Sequence, residues 1–359
     1  MTVVCFHLFN DFSGSPKVLH EVLTGLRERG LDVDLITSRG GVLDDLSKKG
    51  VRCRNYNYRF SVNPVVTMLK YSWIQLLTFF MALRYAGKKD TVFYINTILP
   101  AGPAIAGKLT GKKVVYHYHE NAFIKSRFYK TLAALMERVA DRIICVSKYQ
   151  ASFLSSDKKA QVVANAIDPG FTALLKPDPE KAFDRQTILM LSSLKEYKGT
   201  VEFIRLAAAM PDYHFVLVIN DTRETIDKWL NDKHIELPAN LTLHHRTQDV
   251  SIFYNSASIV LNLSNPALFI ETFGLTAIEA MSCALPVIVP TQGGIAEMVQ
   301  DGVNGYKIDC TDTDRLITII TKVLSDRQLY LRLAEGAYAF SQKFNRDELY
   351  DTIRSILID

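Results

Sequence analysis

Short apolar runs rich in β-branched residues alternate with helix-periodic segments along the whole chain, and that alternation constrains the fold more than any other feature. TVVCFHL, VDLIT, TVFYIN, VVYHYHE, IICVS and VVANAI read as strands in the first half. ILMLSSL, FVLVIN, LTLHH, IVLNLS, PVIVP and NGYKI do so in the second, and segments such as SPKVLHEVLTGLRER and TLAALMERVADR fill the gaps with helical periodicity. Strands separated by helices run parallel, with helices covering both faces of the sheet. A chain of 359 residues exceeds one ordinary core. The pattern breaks at residues 168–186, where three prolines and mixed charge intervene. The expected α/β architecture is two doubly wound domains facing each other across a cleft. They cover residues 1–168 and 169–345, and a last helix at 346–359 packs back on the first. Ligands of such sheets bind beyond the carboxyl ends of the strands, so the cleft is the expected site.

Charge and cysteine usage narrow the function. A net charge of +4 without dense basic clusters argues against a nucleic-acid binder. Cys5, Cys53, Cys145, Cys283 and Cys310 are odd in number, far apart and without metal spacing, which suits buried thiols in a reducing compartment. MTVVCFHLFND lacks a basic leader and a small-residue cleavage site, so a buried first strand and a cytoplasmic location are expected. Residues 65–83 are apolar enough to raise a membrane question, but Lys70 and Gln75 interrupt a spanning helix. Thr67, Lys70, Gln75 and Thr78 share one narrow polar arc, and the expectation is a mostly buried domain helix. The basic neighbours Arg52, Arg54, Arg59, Arg84, Lys88 and Lys89 give a second reading, peripheral contact with anionic lipid.

Several motifs have plain structural readings. GPAIAGKL has the glycines and lysine of a phosphate-binding loop, but Leu109 stands where a hydroxyl must meet magnesium. A helix packing closely through Gly102 and Gly107 is expected instead. Asp32 and Asp34 open a strand, and Asp312 stands where a helix needs an N-cap. His244 and His245 point to opposite faces of a strand and do not easily share a metal. No metal-binding set is evident, and no metal or cofactor is expected.

ETFGLTAIEA sets Glu271 and Glu279 eight positions apart. A glycosidase pair must face each other across about 5 to 9 Å. On a helix, eight residues separate the α-carbons by ~12 Å and rotate the second by ~80°. Such acids suit two contacts on one elongated ligand. Phe273-Gly274-Leu275-Thr276 begins a helix whose unpaired amides form an anion site, and Gly274 lets a phosphate approach the backbone.

This constellation resembles that of the retaining GT-B-type glycosyltransferases, family 4 or group 1, whose hallmark is Glu-x7-Glu. The likeness continues through PVIVPTQGGIAEMVQDGVNGYKI and LSSLKEYKG, which resembles the segment supplying a phosphate-binding lysine, here Lys198. FSGSPKVLHEVLTGLRERG resembles the family's glycine-containing first loop, here Gly14 and Ser15, and VVYHYHE the strand ending in a cleft histidine, here His119. Two positions depart from the family: Ser193 replaces an arginine that commonly accompanies Lys198, and Gly14-Ser15 replaces a double glycine.

The resemblance implies two Rossmann-like domains, the first on the acceptor side and the second on the nucleotide-sugar donor side. It implies retaining transfer of a sugar to an acceptor hydroxyl of a saccharide or lipid-linked saccharide, in bacterial polysaccharide, O-antigen or glycolipid assembly. It assigns catalysis to Glu271, His119 and Lys198. Donor binding falls to Gly14, Ser15, Ser193, Lys198, Phe273, Gly274, Leu275, Thr276 and Glu279. Phe273 also reads as packing. Two rival readings stay open: a nucleotide-sugar epimerase acting without an acceptor, and a non-catalytic donor-binding partner of another transferase, to which Ser193 points.

Overall fold

The alternation of strands and helices is realised as two parallel sheets in a computed structural model of the chain, which describes residues 1–124 and 126–359. Among these residues the first sheet contains β1 (Thr2–Phe6), β2 (Asp32–Ser38), β3 (Arg52–Tyr56), β4 (Thr91–Asn96), β5 (Lys113–Tyr118), β6 (Arg142–Cys145) and β7 (Ala160–Val162). Their order is β3-β2-β1-β4-β5-β6-β7. The second contains β8 (Thr187–Ser192), β9 (His214–Ile219), β10 (Leu241–His244), β11 (Ile259–Leu261), β12 (Val287–Val289) and β13 (Gly305–Lys307), in the order β10-β9-β8-β11-β12-β13. Strand order reverses between β1 and β4 and again between β8 and β11, all of these pairings being parallel. The carboxyl ends of those strands are therefore the switch points where doubly wound sheets take their ligands.

Central strands read clearly because both of their faces are covered. Val3, Val4, Cys5 and Phe6 of β1 are buried, as is all of β4, and Phe6 meets Phe93 edge to face at 5.3 Å. Edge strands read poorly. The sequence Arg52–Tyr56 carries no apolar run yet forms β3, mostly exposed and paired only to β2. At the other edge β7 ends at Val162, so the strand expected over VVANAI is displaced towards the amino terminus. Its register follows from pairing with β6, not from the apolar residues beyond it.

The chain forms two compact units, one of residues Met1–Ala166 with Arg346–Asp359, the other of Ile167–Asn345. In the first, the helix Arg346–Ile358 packs on the helix Gly14–Glu28. Tyr350 lies so close to Gly25 that a Cβ there would sit 2.1 Å from the ring. Arg29 stacks over Tyr350 at 5.0 Å and pairs with Asp347 and Asp351. Asp34 is buried, accepting from Arg52 at 2.5 Å and from the Tyr85 hydroxyl at 2.6 Å. Asp312 caps the helix Thr313–Ser325 by accepting from the Arg315 amide. Asp34 and Asp312 therefore have structural partners. GPAIAGKL forms the packing helix Ala101–Leu109: a Cβ on Gly102 would meet the Gln75 carbonyl oxygen at 2.1 Å, and one on Gly107 would meet Phe93 at 2.7 Å.

The helix Pro64–Leu83 corrects the expectation of a mostly buried element. Gln75 and Thr78 of its polar arc face the domain, whereas Lys70 and the apolar face are exposed. Thr78 is buried and donates to its own helix at the Ile74 carbonyl, so it enters the interior with its hydroxyl satisfied. Gln75 accepts from the Gly102 amide at 2.9 Å, and Tyr71, Ile74 and Ala82 complete the inward stripe. Leu69 and Trp73, by contrast, are 66% and 64% exposed. The close approach through Gly102 selects this narrow stripe as the packing surface.

Candidate functional site

In the second unit, the loop after β8 leads through Glu196–Lys198, and the loop after β11 carries Glu271 to the helix Leu275–Ser282. Because β8 and β11 are neighbours, these loops leave the same end of the sheet side by side. They bring Lys198 and Glu271, 73 residues apart in sequence, into a direct ion pair. Ser264 also donates to Glu271 Oε1, at 3.0 Å. The two charged side chains are 26% and 15% exposed, low enough for charge to act strongly and open enough to be reached. Tyr197 stacks on Phe269 at 4.5 Å beside them. Burial, with the Glu271 charge adding to it, pushes the Tyr197 phenol up to about 12.

Two glycines fix the backbone around Glu271. Gly274 has φ +115° and stands at the N-cap of the helix Leu275–Ser282, with no side-chain cap and no acid in the first turn. A Cβ there would lie 2.4 Å from Ile295. Gly293, at φ +106°, passes so close that its Cβ would lie 2.5 Å from the Glu271 carbonyl oxygen, and the Gly294 amide donates to that oxygen at 2.8 Å. The half-buried start of the helix, at Gly274, Leu275 and Thr276, leaves amide donors beside the Lys198–Glu271 pair. Glu279, on the fifth residue of this helix, accepts from the buried Tyr254 hydroxyl at 2.6 Å. Burial raises the Tyr254 phenol and the Glu279 charge raises it further, so it remains a donor at neutral pH.

The first unit gathers neutral groups at its corresponding strand ends. His119 lies just past β5, and its Nε2 meets Asn96 Oδ1 at 3.0 Å. Asn96 Nδ2 reaches His7 Nδ1 at 3.0 Å, and His7 Nε2 meets the Phe9 carbonyl at 2.8 Å. The chain of donors and acceptors assigns one tautomer: His7 carries its proton on Nε2, Asn96 donates to His7, and His119 donates from Nε2. His117 lies against His119 at 4.1 Å with the rings tilted by 39°, and meets the Tyr94 hydroxyl at 2.6 Å. Burial lowers His7 to about 4 and His117 to about 3. His119 is held well below the ordinary histidine value, by burial first and then by His117 and His7. All three rings are neutral at pH 7.

The structure thus joins Lys198, Glu271 and the Gly274–Thr276 backbone in one place, with Glu279 farther along the same helix. Ser193 lies after β8 and uses its carbonyl to accept from Thr200 at 3.1 Å. Phe273 is 6% exposed and meets Phe344 edge to face, a packing position for its side chain. Gly14 and Ser15 begin the helix Gly14–Glu28 in the first unit, with no capping side chain at Ser13. His244 packs against the Phe253 ring at 4.8 Å, away from this arrangement in its contacts. Ser264, Tyr254, Asn96 and His7 were missed by sequence reasoning. Only Asn96 and His7 carried a signal, each standing at or just past the end of an apolar strand. Among the described residues, no group of three or more His, Cys, Asp or Glu side chains is placed to hold a metal ion.

Comparisons with known proteins agree on one family. The sequence model described as Glycosyltransferase Family 4 matches residues 12–171, and that described as Glycosyl transferases group 1 matches residues 173–340. An uncharacterized glycosyltransferase of Haemophilus influenzae is 22% identical, over 99% of this chain and 100% of that one. A GDP-mannose-dependent α-(1-6)-phosphatidylinositol monomannoside mannosyltransferase of Mycolicibacterium smegmatis is 27% identical over 58% of this chain and 60% of its own. Among solved structures, HepE of Anabaena in complex with UDP-glucose matches with TM-score 0.79 and 21% identity over 99% of both chains. WaaG, a glycosyltransferase involved in lipopolysaccharide biosynthesis, matches with TM-score 0.72 and 17% identity, again over 99% of both. At these identities the structural likeness is one of fold.

Proposed function

Because the chain belongs to the family 4, or group 1, glycosyltransferases and has their GT-B fold, we propose that it transfers a hexose, with retained configuration, from a nucleoside-diphosphate sugar to a hydroxyl of a saccharide or lipid-linked saccharide. The setting we assign is the assembly of a bacterial polysaccharide, O-antigen or glycolipid in the cytoplasm, which suits five unpaired cysteines. The single observation carrying this reading is the Lys198–Glu271 pair beside the uncapped start of the helix Leu275–Ser282. That arrangement provides a cation and backbone donors for a diphosphate, and next to them a carboxylate for sugar hydroxyls.

In the proposed reaction the bond between the anomeric carbon and the diphosphate oxygen breaks, and its electron pair leaves with the phosphate. The acceptor oxygen bonds to the same face of the anomeric carbon, and its proton passes to the departing phosphate oxygen. Lys198 and the Gly274, Leu275 and Thr276 amides stabilise the developing negative charge. Glu271 holds the sugar hydroxyls, and Glu279 holds the ribose. His119 contacts the sugar as a neutral ring that adds no charge to the electron-poor sugar. The Ser193 side chain offers no second cation, so Lys198 bears that role together with the helix amides.

Titration calorimetry with UDP, GDP and ADP, followed by turnover assays with the matching sugars and a panel of glycoside acceptors, tests the reading. Lys198→Ala is expected to weaken nucleoside-diphosphate binding and to lower turnover by orders of magnitude. Glu271→Ala is expected to lower turnover as severely while retaining much of the nucleotide affinity. Near-wild-type rates in both variants would overturn the assignments.

A further inference from the structure

We infer that the helix Pro64–Leu83 docks flat on an anionic lipid surface. Its outward positions Val65, Leu69, Trp73, Leu76 and Phe80 recur at helical spacing and form one continuous apolar face, each well exposed. Phe60, just before the helix, is a further exposed apolar side chain; it is 57% exposed and meets the rings of Phe9 and Tyr58 at 4.8 and 5.5 Å. Large apolar patches of this kind on a protein surface mark an interaction site. An exposed tryptophan within an apolar arc is the side chain favoured where lipid headgroups meet hydrocarbon.

The occupant follows from charge and from how the helix is held. No Asp or Glu occurs between Asp45 and Asp90, although the whole chain carries a net charge of only +4. Within that stretch Arg59, Lys70, Arg84, Lys88 and Lys89 are all exposed. An apolar face accompanied by cations complements anionic headgroups over hydrocarbon. A second copy of the chain fits poorly, because a two-fold contact through this face would set the same cations against themselves. Spanning is also disfavoured by the packing. Tyr71, Ile74, Thr78 and Ala82 fix the opposite stripe to the unit along about three turns, Tyr71 donates to the Leu99 carbonyl at 2.8 Å, and Gln75 is held at Gly102. The helix therefore presents its side to the lipid, not its end.

Vesicle flotation tests this without any transfer reaction, so its outcome is separate from that of the proposed enzymatic activity. The intact protein is mixed with phosphatidylcholine vesicles with and without phosphatidylglycerol. Binding is expected with phosphatidylglycerol, at least about tenfold stronger than without it. In a Trp229→Phe background, Trp73 emission should shift to the blue on binding. Leu69→Glu with Leu76→Glu should weaken binding about tenfold or more and leave the thermal midpoint unchanged, since both side chains are already exposed. Lys70→Glu with Lys88→Glu and Lys89→Glu should abolish the preference for phosphatidylglycerol. The inference is overturned by absence of vesicle binding, by binding that survives Leu69→Glu with Leu76→Glu, or by a solution dimer that this double variant dissociates.

Discussion

The strand ends of the two units solve different chemical problems with similar backbones. In the second unit the loops after β8 and β11 bring opposite charges together, Lys198 against Glu271, beside uncapped helix amides. In the first, the residues at and just beyond the ends of β1, β4 and β5 are His7, Asn96 and His119, linked by hydrogen bonds and without formal charge. A parallel sheet delivers its loops to one end in either case. What differs is the solvation each set tolerates. The charged pair stays partly open to water, whereas burial strips the histidines of their protons. Under the proposed function, the charged end is the one that takes the diphosphate.

The largest expected effect comes from breaking the charged end. Glu271→Gln keeps the shape and a hydrogen-bond acceptor for Ser264 but removes the charge facing Lys198. Turnover should fall by about 10²–10³, as for loss of a well-placed transition-state contact, measured as nucleoside diphosphate released per enzyme in the presence of acceptor. Next is protonation of the neutral end. His7 and His117 have folded values of about 4 and about 3, below the ordinary 6.5, so the unfolded chain binds more protons between those limits. Their contribution is complete above about pH 6.5 and is lost as pH falls through the folded values, roughly 3 kcal/mol for His7. Urea unfolding at descending pH should show this loss, with a shallower dependence in His7→Asn.

A smaller effect tests what holds the charged end in place. Gly293→Ala adds a Cβ against the Glu271 carbonyl at a positive φ, and a cost of about 2 kcal/mol is expected in unfolding experiments. Turnover should fall more than nucleotide affinity, because the Glu271 loop shifts. The smallest effect sharpens the contrast from the other side. Asn96→Asp puts a carboxylate where His119 Nε2 now finds an amide oxygen at 3.0 Å. The His119 pKa should rise, because an adjacent negative charge favours the protonated ring, moving the acidic limb of the turnover profile to higher pH, whereas Asn96→Ala should not move it upward.

The sequence carried the fold class because the central strands are covered on both faces and so appear as unbroken apolar runs. Arg52–Tyr56 and Ala160–Val162 escaped that logic, since an edge strand is chosen by its single neighbour and can be polar. Glu271, Glu279 and Lys198 stood out through the resemblance of ETFGLTAIEA and LSSLKEYKG to the family's motifs, since a Glu pair around a glycine has no such meaning by itself. Ser264 and Tyr254 were not, because their contacts depend on which loops adjacent strands bring together. The helix Pro64–Leu83 was misread for a different reason. Its periodicity separated two faces, but amphipathicity alone does not say which face meets the protein once polar side chains can bond to backbone groups inside, as Thr78 does to Ile74 and Gln75 to Gly102.

Tyr350 on Gly25 has a consequence for biogenesis. During synthesis the amino-terminal sheet emerges first, yet the aromatic ring that closes over its first helix arrives only after some 180 intervening residues have been translated. The inserted unit is continuous in sequence and can settle as it leaves the ribosome, whereas its elder neighbour waits with an unfilled notch until the chain returns.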